Sequence, residues 1–155
     1  MTGMAFSPDG KLLASADSDG TVQLWDPATR RPAGAPLHAD TAPGSSVTAV
    51  AFSPDGKLLA SANTDGTVRL WDPATGRPIG APLHADTTPG GSVTAVAFSP
   101  DGKLLASASA SGAVQLWEVS LIANPYAALC TDVGPPTRQD WDQYAPGEPR
   151  PKTCA

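Results

Sequence analysis

The 155-residue chain has little charge, few aromatic side chains, two cysteines and no long apolar run. Charged residues make up 16%, well below the roughly 25% of an ordinary soluble domain. Ten Lys and Arg stand against fifteen Asp and Glu, for a net charge of −5. That balance argues against a general phosphate-binding surface, which needs clustered cations. No apolar run approaches the ~20 residues a membrane-spanning helix requires. No basic segment followed by an apolar one opens the sequence, so no secretory signal is expected. What the chain has in quantity is turn chemistry: 15 Gly and 17 Pro, about a fifth of all residues. With 41% hydrophobic residues and this density of turns, the composition reads as all-β, and the length suits one domain.

Internal periodicity dominates the sequence. Ala-Phe-Ser-Pro-Asp-Gly-Lys-Leu-Leu-Ala-Ser-Ala occurs at residues 5–16, 51–62 and 97–108, a period of 46. Trp25, Trp71 and Trp117 keep that spacing, as do Gly20, Gly66 and Gly112. Residues 5–50 and 51–96 differ at seven positions. Identity this high implies recent duplication and one structural unit used repeatedly.

Each unit reads as four short strands. Residues 47–52 alternate apolar with small or polar side chains, as a half-buried strand should. Ser53-Pro54-Asp55-Gly56 is a turn, with φ preset by the proline and the glycine at its end. A second strand over 58–62 leads through the tight turn Thr64-Asp65-Gly66 into a third over 67–72. After the turn 73–76, residues 78–84 form the fourth. Pro78 and Pro82 place that strand at an edge, because proline cannot donate to a ladder. Such a meander cannot bury its faces alone.

Phe-Ser-Pro-Asp-Gly, Leu-Ala-Ser-Ala, Asp-Gly-Thr-Val and Leu-Trp-Asp closely resemble the WD-repeat family of β-propellers over about residues 1–118. The resemblance implies one blade per unit, stacked radially about a channel, with the two chain ends normally joined at closure. The expected architecture is therefore a partial β-propeller of about three four-stranded antiparallel blades. These span residues 1–46, 47–92 and an incomplete 93–118, followed by a helical, Pro-rich tail over 119–155. The resemblance also implies a structural network on Ser15, Asp19 and Trp25, on Ser61, Asp65 and Trp71, and on Ser107 and Trp117. In the family a His shortly before the first strand often bonds to these groups. Here His38 and His84 lie in Pro-Leu-His-Ala-Asp, separated from Val47 and Val93 by the loops 39–46 and 85–92. In the third unit Ser111 replaces the turn Asp and Glu118 the terminal one, which marks that blade as loosened.

A propeller usually needs about 4–8 blades, and three are expected here. Met1-Thr2-Gly3-Met4 aligns with Val47-Thr48-Ala49-Val50, so the chain is expected to start within an inner strand. The third unit leaves the pattern after Glu118 without a fourth strand. Both flanks would then present open blade edges or uncovered apolar faces. The expectation is the C-terminal end of a longer propeller. Self-association of several copies is the rival.

The tail carries helix signals: Asn124-Pro125 as a start, Tyr126, Leu129 and Val133 on one face, and Gly134-Pro135-Pro136 as a stop. Thr137-Arg138-Gln139-Asp140 resembles a capping box leading to Trp141 and Tyr144. As a whole the tail resembles the ending of large bacterial WD-repeat proteins, in which a STAND-type NTPase or other effector often precedes the propeller. Cys130 and Cys154 either form a structural pair, whose disulfide would contribute roughly 3 kcal/mol, or stand as two unrelated thiols. The absence of Cys-x-x-Cys or a neighbouring His argues against a metal role.

Nothing points to catalysis or to a cofactor. Gly-x-Ser-x-Gly is absent, and Gly-Lys lacks the Walker spacing. Asp9, Asp55 and Asp101 occupy equivalent turns on separate blades, and the repeated His reads as a duplicated strand-end residue. The recurring Trp reads as blade packing, not as a stacking platform for nucleic acid. The units differ at Asp17/Asn63/Ser109 and Gln23/Arg69/Gln115, and small polar variation on a repeated scaffold suits a recognition surface. The expected function is a non-enzymatic, cytoplasmic interaction scaffold or sensor that binds protein partners, including an upstream effector domain in cis. Neither nucleic acid nor a membrane is an expected partner. A truncated, non-functional fragment is the alternative, and a propeller enzyme the weaker one.

Overall fold

A computed structural model of the chain describes residues 1–39 and 42–123. Its strands are β1 (Gly3–Phe6), β2 (Leu13–Ala16), β3 (Thr21–Asp26), β4 (Arg31–Pro32), β5 (Leu37–His38) and β6 (Val47–Phe52). There follow β7 (Leu59–Asn63), β8 (Thr67–Asp72), β9 (Arg77–His84), β10 (Val93–Phe98), β11 (Leu104–Ser109) and β12 (Val114–Glu118). They form three antiparallel sheets, each a meander. In sheet one the order is β1-β2-β3-β4, with β5 also on β3; sheet two is β6-β7-β8-β9 and sheet three β10-β11-β12. The architecture is that of a partial WD-type propeller.

The strand bounds follow the local chemistry. In every Ser-Pro-Asp-Gly turn the Asp carboxylate accepts the Ser hydroxyl at 2.6 Å and the Lys amide at 3.0 Å, as in Ser7, Asp9 and Lys11. The Ser hydroxyl accepts the next amide that enters the second strand. Registers repeat as well: Leu13, Leu59 and Leu105 each face the Trp of their third strand.

The expected fourth strand is continuous only in sheet two, where Ile79 opposite Leu70 packs against the core. In sheet one Ala33 stands at the position of Ile79, and pairing is split into β4 and β5. Sheet three has no fourth strand among the described residues. Instead the short helix α1 (Val119–Ala123) follows β12 directly, and buried Val119 and Ile122 pack into the core beside β9 and β12. The helices expected after Asn124, together with Cys130 and Cys154, lie outside the described residues.

The sheets stack face to face, with the first strands β1, β6 and β10 side by side. Two cores fill the seams. Ala14, Ala16, Val22 and Leu24 of sheet one meet Val47, Val50, Leu59 and Trp71 of sheet two. Ala60, Ala62, Val68 and Leu70 of sheet two meet Val93, Leu105 and Trp117 of sheet three. The same two faces thus join at each seam: a small-residue face of Ala, Val and Leu, and a bulky face of Val, Leu, Phe and Trp.

Candidate functional site

The Trp–Ser pair of each blade holds its second and third strands together away from the inner edge. Trp25 Nε1 donates to Ser15 Oγ at 2.9 Å, Trp71 to Ser61 at 3.0 Å and Trp117 to Ser107 at 3.3 Å. Ser15, Ser61 and Ser107 are buried, and at the buried Trp71 and Trp117 these bonds satisfy indole N–H groups that face little water. Asp19 and Asp65 work at the turn instead. Each accepts both the amide and the hydroxyl of the Thr two residues on, Thr21 and Thr67, with hydroxyl contacts of 2.7 and 2.6 Å. The Thr21 hydroxyl and amide hold the Asp19 carboxyl below its ordinary value, and His38, opposite Thr21 on β5, adds a smaller pull.

An acidic residue that the sequence reading passed over completes the third blade. Asp86, buried in the loop after β9, accepts the Thr88 amide at 3.0 Å and the Thr88 hydroxyl at 2.6 Å. Thr88 is the main reason its carboxyl is lowered to about 2, and Ser111 and Ser109 of the β11–β12 turn add to the effect. Ser109 and Ser111 also bond each other at 2.7 Å. Where the third unit has lost its own turn Asp, the carboxylate of the preceding loop therefore faces the turn. The cue in the sequence is Asp86-Thr87-Thr88, which repeats the Asp-x-Thr spacing of Asp65-Gly66-Thr67. Gly66 makes room for this loop: a Cβ there would lie 2.2 Å from the Asp86 carbonyl oxygen, and φ is +83°.

The six positions expected to vary on a recognition surface do not lie together on one. Asn63 is an interior residue, fully buried, with Nδ2 donating to the Ala39 carbonyl and Thr67 Oγ1 at 3.1 Å. That corrects its place on a partner surface. Ser109 is also buried, in the Asp86 contact. Arg69 is half-buried, with its guanidinium 5.7 Å from the Trp71 ring centroid. Gln23 caps the Leu24 and Gly34 carbonyls at 2.8 and 3.2 Å. Asp17 pairs with the terminal amine of Met1 at 3.0 Å, and Gln115 points to solvent. Of the six, Asp17, Gln23 and Gln115 remain as partner-accessible polar positions.

No three His, Cys, Asp or Glu side chains converge as metal ligands among the described residues. A cleft of about 190 Å³ between the outer parts of sheets one and two is lined by Leu24, Ala33, Pro36, Leu37 and Pro73 and presents no ionisable side chain. No described helix is long and apolar enough to cross a membrane.

Stacked antiparallel meanders, each bearing a Trp–Ser bond and an Asp-stabilised Ser-Pro-Asp-Gly turn, define a protein of the β-propeller repeat class. The chain belongs to the WD40 family: the model for "WD domain, G-beta repeat" matches residues 1–26, 34–72 and 80–118. It is also similar to Striatin-4 of Homo sapiens, with 55% identity over 31 residues. That match takes in 20% of this chain and spans 4% of Striatin-4. WD40 repeats point to a protein-interaction scaffold, and proteins built from them are generally non-catalytic.

Proposed function

We propose that this chain is a non-catalytic scaffold or sensor module, cytoplasmic and bacterial, acting through protein–protein contacts. The observation that carries the reading is the stack of WD40 sheets held by Trp–Ser bonds. We further propose that it forms the C-terminal part, residues 1–118 as blades and 119–155 as tail, of a larger WD-repeat protein with an upstream effector domain. The support is the resemblance of the tail and the blade count. Asp17, Gln23 and Gln115 are the polar positions from which a partner would be recognised.

Affinity capture with the wild-type chain and with a triple alanine variant at Asp17, Gln23 and Gln115 tests the scaffold reading. A specific partner lost by the variant, with circular dichroism unchanged, supports it; capture undiminished by the variant refutes this surface. The coding sequence upstream tests the larger context. A continuous frame with further 46-residue units supports it, and a stop codon immediately before Met1 removes it.

A further inference from the structure

Each internal seam joins the small-residue face of one sheet to the bulky face of the next. The two outermost faces of the stack are the unmatched halves of that same joint. On sheet one the bulky face is open: Met4 and Phe6 are 64% and 63% exposed, although Val50, at the position of Met4 in sheet two, is buried. On sheet three the small-residue face is open: Val114 and Leu116 are 68% and 60% exposed, although Val68 and Leu70 are buried at the equivalent positions.

Polar and turn contacts repeat across the seams in the same sense. Thr2 Oγ1 donates to the Val47 carbonyl across the first seam, and Thr48 Oγ1 to the Val93 carbonyl across the second. Thr94, the third member, is exposed and its hydroxyl bonds only within its own sheet, to Ala108 O at 3.2 Å. Its missing acceptor corresponds to the carbonyl of Met1, which aligns with Val47 and Val93. Likewise Pro8 lies 3.5 Å from where a Cβ of Gly56 would stand, and Pro54 3.5 Å from that of Gly102. Gly10, first in that series, has nothing within 4 Å.

We propose that two copies of this chain associate head to tail, the Val114–Leu116 face of each docking on the Met4–Phe6 face of the other. Thr94 then donates to the partner copy's Met1 carbonyl, and Pro100 packs at the partner copy's Gly10. The contact is heterologous, so it must close or polymerise. Two copies supply six sheets, within the range of about 4–8 at which propellers close. This goes beyond the reading above and does not depend on it: it concerns these 155 residues as a separate polypeptide in solution, where each open face is complementary to the other open face of a second copy.

Sedimentation of the full chain tests the proposal. The wild type should sediment at twice the 15.7 kDa chain mass. Phe6→Asp and Leu116→Asp each alter an exposed side chain, and each variant should be monomeric with an unchanged circular dichroism spectrum. An equimolar mixture of the two retains one intact joint and should recover a dimer, at least about tenfold weaker than wild type. That recovery also shows that both variants are folded. A wild-type monomer overturns the proposal. So does a dimer that survives Leu116→Asp, which would mean a symmetric contact through sheet one, or a ladder of larger masses, which would mean no closure. Failure of the mixture to recover a dimer overturns the head-to-tail sense.

Discussion

Leu59-Ala60-Ser61-Ala62-Asn63 on β7 is buried at every position, whereas on β11 the same Leu-Ala-Ser-Ala stretch alternates between buried and half-buried residues. Trp71 is buried and Trp25 only half-buried, although both donate the same bond to a serine. Sheet two has a neighbour on each side; sheets one and three have one each. A near-identical sequence thus occupies three environments, and burial here is a property of the seam, not of the repeat. The apolar alternation of a strand gives each face a character, but a face contributes stability only where another sheet removes it from water.

The largest expected contrast comes from one leucine in two sheets. Leu70→Ala, at 2% exposure, should cost about 2–5 kcal/mol by transfer and cavity formation. The equivalent Leu116→Ala should cost under about 0.5 kcal/mol when measured in a monomeric Phe6→Asp background. Urea unfolding of both variants checks the pair; equal costs would show that the outer face of sheet three is covered in the monomer.

Removing the serine acceptors sharpens the contrast between sheets one and two. Ser61→Ala leaves the buried Trp71 N–H unpaired and should cost about 1–3 kcal/mol. Ser15→Ala should cost less, because water reaches the half-buried Trp25. Thermal unfolding of the two variants, followed by tryptophan fluorescence, reports the difference.

Acid should strain the joint between sheets two and three. Asp86 has a folded-state value lowered to about 2 from an ordinary 3.8, so its stabilisation is present above about pH 4 and disappears as pH falls toward 2. Asp86→Asn should flatten that part of the stability profile, read as the unfolding midpoint between pH 5 and pH 2. An unchanged acid limb would place the sensitivity elsewhere.

The smallest effect is expected at Arg30, which adopts φ +57° where the second repeat has Gly76 at +71°. Arg30→Gly relieves a left-handed side-chain conformation and should stabilise sheet one by roughly 0.5–1 kcal/mol, less if the added chain entropy offsets it. A small rise in the urea midpoint checks it.

Much of this was legible in the residues. The period, the strands of sheet two and the Ser-Pro-Asp-Gly turns are local, set by alternation and by proline and glycine, whereas the placing of each Trp with its Ser came only from the resemblance to WD repeats. Asn63 and Asp86 were not legible. The Ala39 carbonyl that accepts from Asn63, and the Ser109–Ser111 turn that helps lower the Asp86 carboxyl, lie more than twenty residues away in an adjoining repeat. The split of the first fourth strand was not read from the sequence either, although the exchange of Ile79 for Ala33, one of the seven differences between the repeats, sits at the break.

The sequence by itself determined a strand unit with alternating faces, repeated three times with the last copy incomplete. Tertiary structure decided which of those faces are covered: the two internal seams are filled, and Phe6 and Leu116 face water. The physical reason is that alternation is written within a strand, whereas desolvation requires a second surface, and that surface belongs to another repeat.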